Sequence, residues 1–377
     1  MKYSSIPAAQ TVAHHCKAKN IKNIIISPGS RNAPLIIGFT EDTFFNCYSI
    51  VDERCAAFFA LGMAQQLGEM VAVVCTSGSA LLNYYPAIAE AFYSDIPLVV
   101  ISADRPSYGI DIGDGQTIRQ KDVYANHIGY SANLMQDVSH ATDKIKQFGK
   151  SLLKDEISLV EHQTAIQSFN AVAVNKALNT ASNEKCPVHI NVPFEEPLYN
   201  TVNELSIPSF ALPDVEVGEE QLSDITAFTN IWNASKRKMI LVGVNAPSTI
   251  EQQFLDVLAN DPSVLVFTET TSNIHHPNFF SSIDSILAPI EKKKNSESYF
   301  KDLQPEILLT FGGLVVSKKI KAFLREYSPE HHWHIDSKKA NDTFFCLTKH
   351  IEIAPNIFFE ALLPKLTHYV TLLVYNY

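Results

Sequence analysis

The chain has 377 residues, 46% hydrophobic and 19% charged, a composition that builds buried cores and argues against disorder. Its length suggests two domains. A formal charge of −10 argues against a nucleic-acid partner, but a local cluster of Arg and Lys can still seat a small anion.

From the N-terminus on, short apolar runs alternate with helix-length segments. Ala8–Lys19 reads as a helix and Asn23–Ser27 (NIIIS) as a buried strand. Cys47–Val51, Val71–Cys75 and Leu98–Ser102 read as further buried strands, with helices over Glu53–Gln66 and Ala80–Tyr93 between them. Lys144–Thr180 supplies more helix, although Lys150–Asn170 carries no pattern tied to a function. Cys186–Val192 (CPVHINV) closes this first domain as a strand. Strands alternating with helices predict a three-layer α/β domain with a mostly parallel sheet, and ligands at the edge where the strands end.

Four prolines within Pro193–Val217 mark a linker. A second series of strands, Met239–Gly243, Val264–Thr268, Glu306–Phe311 and His332–Asp336, predicts a Rossmann-like second domain. The expected boundaries are 1–195, a linker over 196–218, 219–365, and an irregular tail over 366–377. Gly243 and Gly312–Gly313 follow strand ends, but no G-x-G-x-x-G follows a strand, so dinucleotide binding is not indicated. EKKKNSES at Glu291–Ser298 reads as an exposed loop. The apolar tail THYVTLLVYNY could act as a sticky unpaired strand.

No apolar run approaches the roughly 20 residues of a membrane helix, and MKYSSIPAAQ contains no apolar leader, so a cytoplasmic protein without a membrane partner is expected. Six scattered cysteines without a C-x-x-C pair suggest reduced thiols, not a zinc site or a disulfide framework. The HHWH at His331–His334 alternates as a strand would, and His275–His276 lacks spaced partners; neither reads as a metal site.

Five motifs occur in order: SPGSRNAPL at Ser27–Leu35, VDERCAAFFALGMA at Val51–Ala64, TSGSALLNYYPAIAEA at Thr76–Ala91, ADRP at Ala103–Pro106 and GDGQTIRQ at Gly113–Gln120. Asp52 and Glu53 could complement a helix N-terminus. Alternatively, Glu53, flanked by Cys55-Ala-Ala-Phe-Phe, could be a carboxyl kept protonated by a dry pocket. Arg31 and Arg105 follow strands at the ligand edge, though Arg31 could cap its loop and Arg105 could pair with Asp104. Lys318 and Lys319 could be a solvated helix start.

Together these motifs closely resemble the pyrimidine-binding domain of thiamine-diphosphate enzymes, and within them the carboligases of menaquinone biosynthesis. The resemblance implies thiamine diphosphate and Mg²⁺ as cofactors. It further implies the joining of decarboxylated 2-oxoglutarate to isochorismate with release of CO₂, and a homodimer or higher homo-oligomer. It places Glu53 as the carboxyl that donates to the cofactor's aminopyrimidine and promotes loss of the thiazolium proton. Ser30, Arg31 and Arg105 fall on substrate contacts, and Gln116 on the position that orients substrate and intermediate. Lys318 and Lys319 fall on the family's Lys-Arg pair, the second being Lys here, which turns a bidentate fork into a point charge. Such cations suit dicarboxylate substrates.

Gly115 stands where relatives often carry a side-chain amide, so no contact carries over. Gly113-Asp114-Gly115 spells the start of the family's metal motif, but it follows no apolar run. Asn126 and Asn133 lie at the wrong distance and not at a strand end, so no metal is assigned. VPFEEPLYN at Val192–Asn200 resembles the stretch that ends the family's first domain. The resemblance spans Met1–Pro364 and offers no counterpart of the diphosphate- and metal-binding domain. A truncated chain, inactive alone, is therefore expected. Two alternatives stay open: another thiamine-diphosphate 2-oxoacid decarboxylase or carboligase, and a non-catalytic protein that keeps the fold.

Overall fold

A computed structural model describes residues 2–154, 156–208, 213 and 224–367. The chain divides into two compact units, Met1–Val217 and Gly218–Tyr377.

Unit 1 runs β1 (Tyr3–Ser4), α1 (Pro7–Ala18), β2 (Asn23–Ile26), α2 (Ala33–Thr40), β3 (Asn46–Ser49), α3 (Glu53–Leu67), β4 (Val71–Cys75), α4 (Tyr85–Tyr93) and β5 (Leu98–Asp104). It continues with β6 (Tyr130–Asn133), α5 (Thr142–Phe148), α6 (Leu159–Glu184), β7 (Val188–Pro193) and β8 (Thr201–Val202). Six strands form one sheet in the order β3-β2-β4-β5-β7-β6, every pair parallel.

The period of two sorts each strand's side chains between two cores. Ile24, Ile26, Ala72, Val74, Val99, Ile101 and Ile190 join α1, α2 and α6 on one face. Ile25, Val71, Val73, Leu98 and Val100 join α3 and α4 on the other. This double burial explains why β4 and β5 read as continuous apolar runs, whereas β3, expected to be buried, is a largely exposed edge strand.

The helices begin and end where local chemistry dictates. Asp52 caps α3 by accepting from the Cys55 N–H at 2.9 Å, and Gly68 at φ 66° closes it. Ser158 and Glu161 form a capping box that starts α6, a 26-residue helix covering much of Lys144–Thr180. The single helix expected over Ala80–Tyr93 is instead a 3₁₀ stretch at Gly78–Tyr84 followed by α4. Pro86 lacks the N–H needed to continue the earlier turns and fits a fresh helix start.

The proline-rich stretch after β7 packs onto unit 1. β8 pairs antiparallel with β1, the Ser206 N–H donates to Gln10 at 2.8 Å, and Asn179 donates to the Pro213 carbonyl at 3.0 Å. The rest of the expected linker, and residues 368–377 of the tail, lie outside the described residues.

Unit 2 runs α7 (Thr226–Ala234), β9 (Lys238–Val242), α8 (Gln252–Ala259), β10 (Val264–Phe267), α9 (Ile283–Glu291), α10 (Ser296–Leu303), β11 (Ile307–Phe311), α11 (Lys318–Glu326), β12 (His331–Ile335), β13 (Lys349–Ile351) and α12 (Pro355–Leu362). Its five strands pair in parallel in the order β10-β9-β11-β12-β13, with helices on both faces. Both units are therefore doubly wound α/β layers. HHWH forms part of β12, with the His332 and His334 rings bonded to the Thr310 hydroxyl at 2.9 and 2.8 Å. The run at Glu291–Ser298, read as a loop, is mostly exposed, but Glu291 ends α9 and Ser296 opens α10, so only 292–295 turn between the helices.

Candidate functional site

In unit 1 the strand order reverses between β2 and β4, and the loops after these strands part there. Such a switch point opens a crevice at the carboxyl ends of the strands. Asn32 folds the first loop by accepting from the Gly29 N–H at 2.9 Å and donating to the Ser27 carbonyl at 3.0 Å. A Cβ on Gly29 would lie 2.6 Å from Thr76 Cβ, so the two loops meet only because residue 29 has none.

Ser30 is exposed on the loop, while Arg31 is buried. Its guanidinium donates through Nη1 to the Phe194 carbonyl at 3.0 Å, and Nη2 lies 3.3 Å from Glu196 Oε1. Burial, then the like charge of Arg105, pushes its pKa down, against the pull of Glu196 and Glu195. Arg105 does not pair with the Asp104 carboxylate through its guanidinium. Asp104 accepts from the Arg105 backbone N–H at 2.7 Å and from Asn191 at 2.7 Å, and burial raises its pKa. The Arg105 guanidinium instead reaches the GDGQ loop, donating to the Gly115 carbonyl at 2.9 Å, with Asp114 at 3.8 Å.

Three left-handed residues, Asp111 (φ 63°), Gly113 (φ 85°) and Gln116 (φ 54°), bend that loop, and Gln116 is exposed on it. The Ser77 hydroxyl donates to the Gln116 carbonyl at 3.2 Å, and a Cβ on Gly78 would strike that carbonyl at 2.8 Å. Below it, the buried Gln120 accepts from the Gly78 N–H at 2.8 Å and donates to Ala103 O at 3.0 Å and Asn191 at 2.8 Å. The ends of β4, β5 and β7 are thereby tied together.

Glu53 opens α3 just past β3, half-buried beside the exposed Val51. Among the described residues no hydrogen bond or ion pair occupies its carboxyl, whereas its neighbour Asp52 performs the capping. Asp52 thus caps the helix, while Glu53 adds a negative charge in its first turn. A half-buried carboxyl with no described partner at the strand edge fits the ring half of a thiamine cofactor. GDG sits in a loop, as expected. Contrary to expectation, Asn133 does end a strand, β6, an edge strand too polar (YSAN) to stand out. Its amide donates to Asp122 at 2.9 Å. No three metal-ligating side chains converge among the described residues.

Sequence reasoning missed a group beside Arg31. Glu195 accepts from the Tyr108 hydroxyl at 2.5 Å, the Lys144 ammonium at 3.1 Å and the Glu196 N–H at 2.8 Å. Burial opposes ionisation of Glu195, but these donors hold its pKa below the usual carboxylate range. The EE pair in VPFEEPLYN was the available signal. Ser30, Arg31, Arg105 and Gln116 thus share one sheet edge.

Lys318 and Lys319 begin α11 in unit 2, where Ser317 caps the helix; Lys318 is exposed and Lys319 is bonded to Glu291. The glycines of unit 2 serve packing. A Cβ on Gly243 would lie 2.0 Å from Gly313 O, and the Gly313 N–H donates to Val244 O at 2.7 Å. Backbone therefore meets backbone at that sheet's own switch point.

Residues 6–125 match the family model described as "Thiamine pyrophosphate enzyme, N-terminal TPP binding domain", a span that holds Glu53, both arginines and Gln116. The matched span lies wholly within the first unit. Across nearly its whole length the chain is similar to proteins named 2-succinyl-5-enolpyruvyl-6-hydroxy-3-cyclohexene-1-carboxylate synthase. It is 58% identical to the one from Christiangramia forsetii, over 93% of this chain and 59% of the relative. Identity is 53% with that of Flavobacterium johnsoniae, over 98% and 61%. With that of Porphyromonas gingivalis it is 35%, over 93% and 56%. The chain thus spans about three-fifths of the length of the curated relatives it matches.

Proposed function

We propose that the chain serves a thiamine-diphosphate-dependent carboligase of menaquinone biosynthesis that joins decarboxylated 2-oxoglutarate to isochorismate with release of CO₂. The observation that carries this reading is the carboxyl of Glu53, unclaimed by any described residue, at the same sheet edge as two guanidiniums. Bound thiamine diphosphate supplies the nucleophilic carbon. Glu53 holds the proton shared with the aminopyrimidine. Arg31, Arg105 and Ser30 receive substrate carboxylates, and Gln116 orients the reacting carbonyl carbon. A monocarboxylic 2-oxoacid, with one carboxylate, would not need two guanidiniums, so this cation set favours dicarboxylates over the alternative decarboxylases. Mg²⁺ accompanies the diphosphate.

The exposed Phe58 and Phe59 of α3 support a homodimer, and six free thiols suit the cytoplasm. No helix among the described residues is long and apolar enough to cross a membrane.

The test is a chimera in which this chain replaces the matching part of the Christiangramia forsetii protein. Consumption of isochorismate that requires 2-oxoglutarate and thiamine diphosphate is expected. Glu53→Gln should lower the rate by about 10²- to 10⁴-fold. A chimera that folds but leaves isochorismate untouched, or a Glu53→Gln variant with unchanged rate, overturns the reading.

A further inference from the structure

Arg31 and Arg105 each face an acidic side chain of their own chain, and neither pair closes to the distance of a tight ion pair. Arg31 Nη2 lies 3.3 Å from Glu196 Oε1, and Arg105 Nη1 lies 3.8 Å from Asp114 Oδ2. Charge-assisted bonds normally close to about 2.7–2.9 Å. The acids are loose, with side chains 56% exposed for Glu196 and 53% for Asp114, while the Arg31 side chain is 7% exposed. Arg105 Nε is buried and has no partner among the described residues, so part of its donor fork is unused. Lys144 Nζ also faces Glu196, at 3.8 Å.

The adjacent Glu195 behaves differently. Its side chain is 11% exposed and takes Tyr108, Lys144 and the Glu196 N–H. One glutamate anchors the segment and the next is left to move. Arg31, meanwhile, is steered from behind by the backbone carbonyl of Phe194, a contact that no ligand needs to break.

We infer that Glu196 and Asp114 occupy, in the free protein, the places of two carboxylates of an anionic ligand, and that a dicarboxylate binds by displacing them. This rests on the reading of Arg31 and Arg105 as carboxylate seats. The two acids then act as an internal competitor: they keep the guanidiniums from facing each other unscreened, and they set a threshold that a monoanion with one carboxylate crosses poorly. Lys144 becomes a third cation, presented to the ligand once Glu196 swings out.

The experiment is calorimetric titration of the full chain with 2-oxoglutarate. Wild type is compared with Glu196→Gln, Asp114→Asn, the double variant, Arg31→Ala, Arg105→Ala and Asp111→Asn. Asp111 belongs to the same loop and pairs with Arg119 at 2.9 Å, so its variant removes a nearby charge without freeing either seat. Displacement predicts that Glu196→Gln and Asp114→Asn each tighten binding about two- to fivefold, as expected when an exposed ion pair no longer competes. The double variant should be tightest and Asp111→Asn unchanged. A merely structural role for the acids would have the opposite sign. If the two variants bind no better than wild type while Arg31→Ala and Arg105→Ala weaken binding, the displacement idea is wrong and the seats stand. Equal tightening by Asp111→Asn also overturns it, as a general charge effect. If both arginine variants bind like wild type, or no variant binds at all, the reading of the seats itself fails.

Discussion

Gly29 sits where the loops after β2 and β4 cross, and the physics there leaves one choice of residue. An added Cβ would fall 2.6 Å from Cβ and 2.8 Å from Cγ2 of Thr76, a stiff β-branched side chain. Gly29→Ala should therefore cost about 1–3 kcal/mol by overpacking, read as a lower urea midpoint at unchanged slope; an unshifted midpoint would mean that the loops part freely. Arg31 and Arg105 were legible at this scale because each follows an apolar run that ends in a loop. Glu195, Tyr108 and Lys144 were not. Their contacts join residues 87 and 51 positions apart, a distance that no local pattern encodes.

Among the elements, α3 carries two features on one rod. Its first residue is Glu53, and further along it exposes Phe58 and Phe59, each 45% accessible, with the Phe59 ring 5.9 Å from that of the exposed Tyr48. Large apolar side chains held in water this way mark an association face. Phe58→Ser with Phe59→Ser should shift the chain toward monomer in sedimentation velocity, without loss of helix by circular dichroism. An oligomer distribution identical to wild type would remove α3 from the interface. Elements buried on both faces were readable from sequence, as β2, β4 and β5 show. Those at the margins were not: β6 is a polar edge strand, β13 is three residues long, and α2 (APLIIGFT) has no polar face to give it a period.

For the whole molecule, buried titratable groups set the response to acid. Burial pushes His15 to about 4, His189 to about 3 and His332 to about 4. Between about 6.5 and 4 the unfolded histidines bind protons that the native ones refuse, so stability falls as pH falls through that window. Asp137 has the opposite sign: burial raises it to about 6, so between about 4 and 6 the native state keeps a proton that the unfolded chain has lost. His140, His162 and His334 are shifted down in the same way, so the histidines outweigh Asp137 and unfolding takes up protons as pH falls. Urea unfolding at pH 6 and pH 5 measures this uptake as a slope, and His189→Gln should reduce it by about one proton; an unchanged slope would contradict a neutral buried His189.

The two-unit plan was visible in the repeated strand series, whereas the packing of the proline-rich stretch on unit 1 was not, because proline content reports stiffness and not contacts. The Gln120 amide that ties three strand ends has a further consequence. Its bonds to Gly78, Ala103 and Asn191 are dipolar and buried, so dissolved ions scarcely reach them. The exposed acids facing Arg31 and Arg105 lie within reach of the ionic atmosphere, whose screening length is about 8 Å at 0.15 M. Ionic strength therefore acts on occupancy of the two guanidiniums while leaving the scaffold that aims them unchanged.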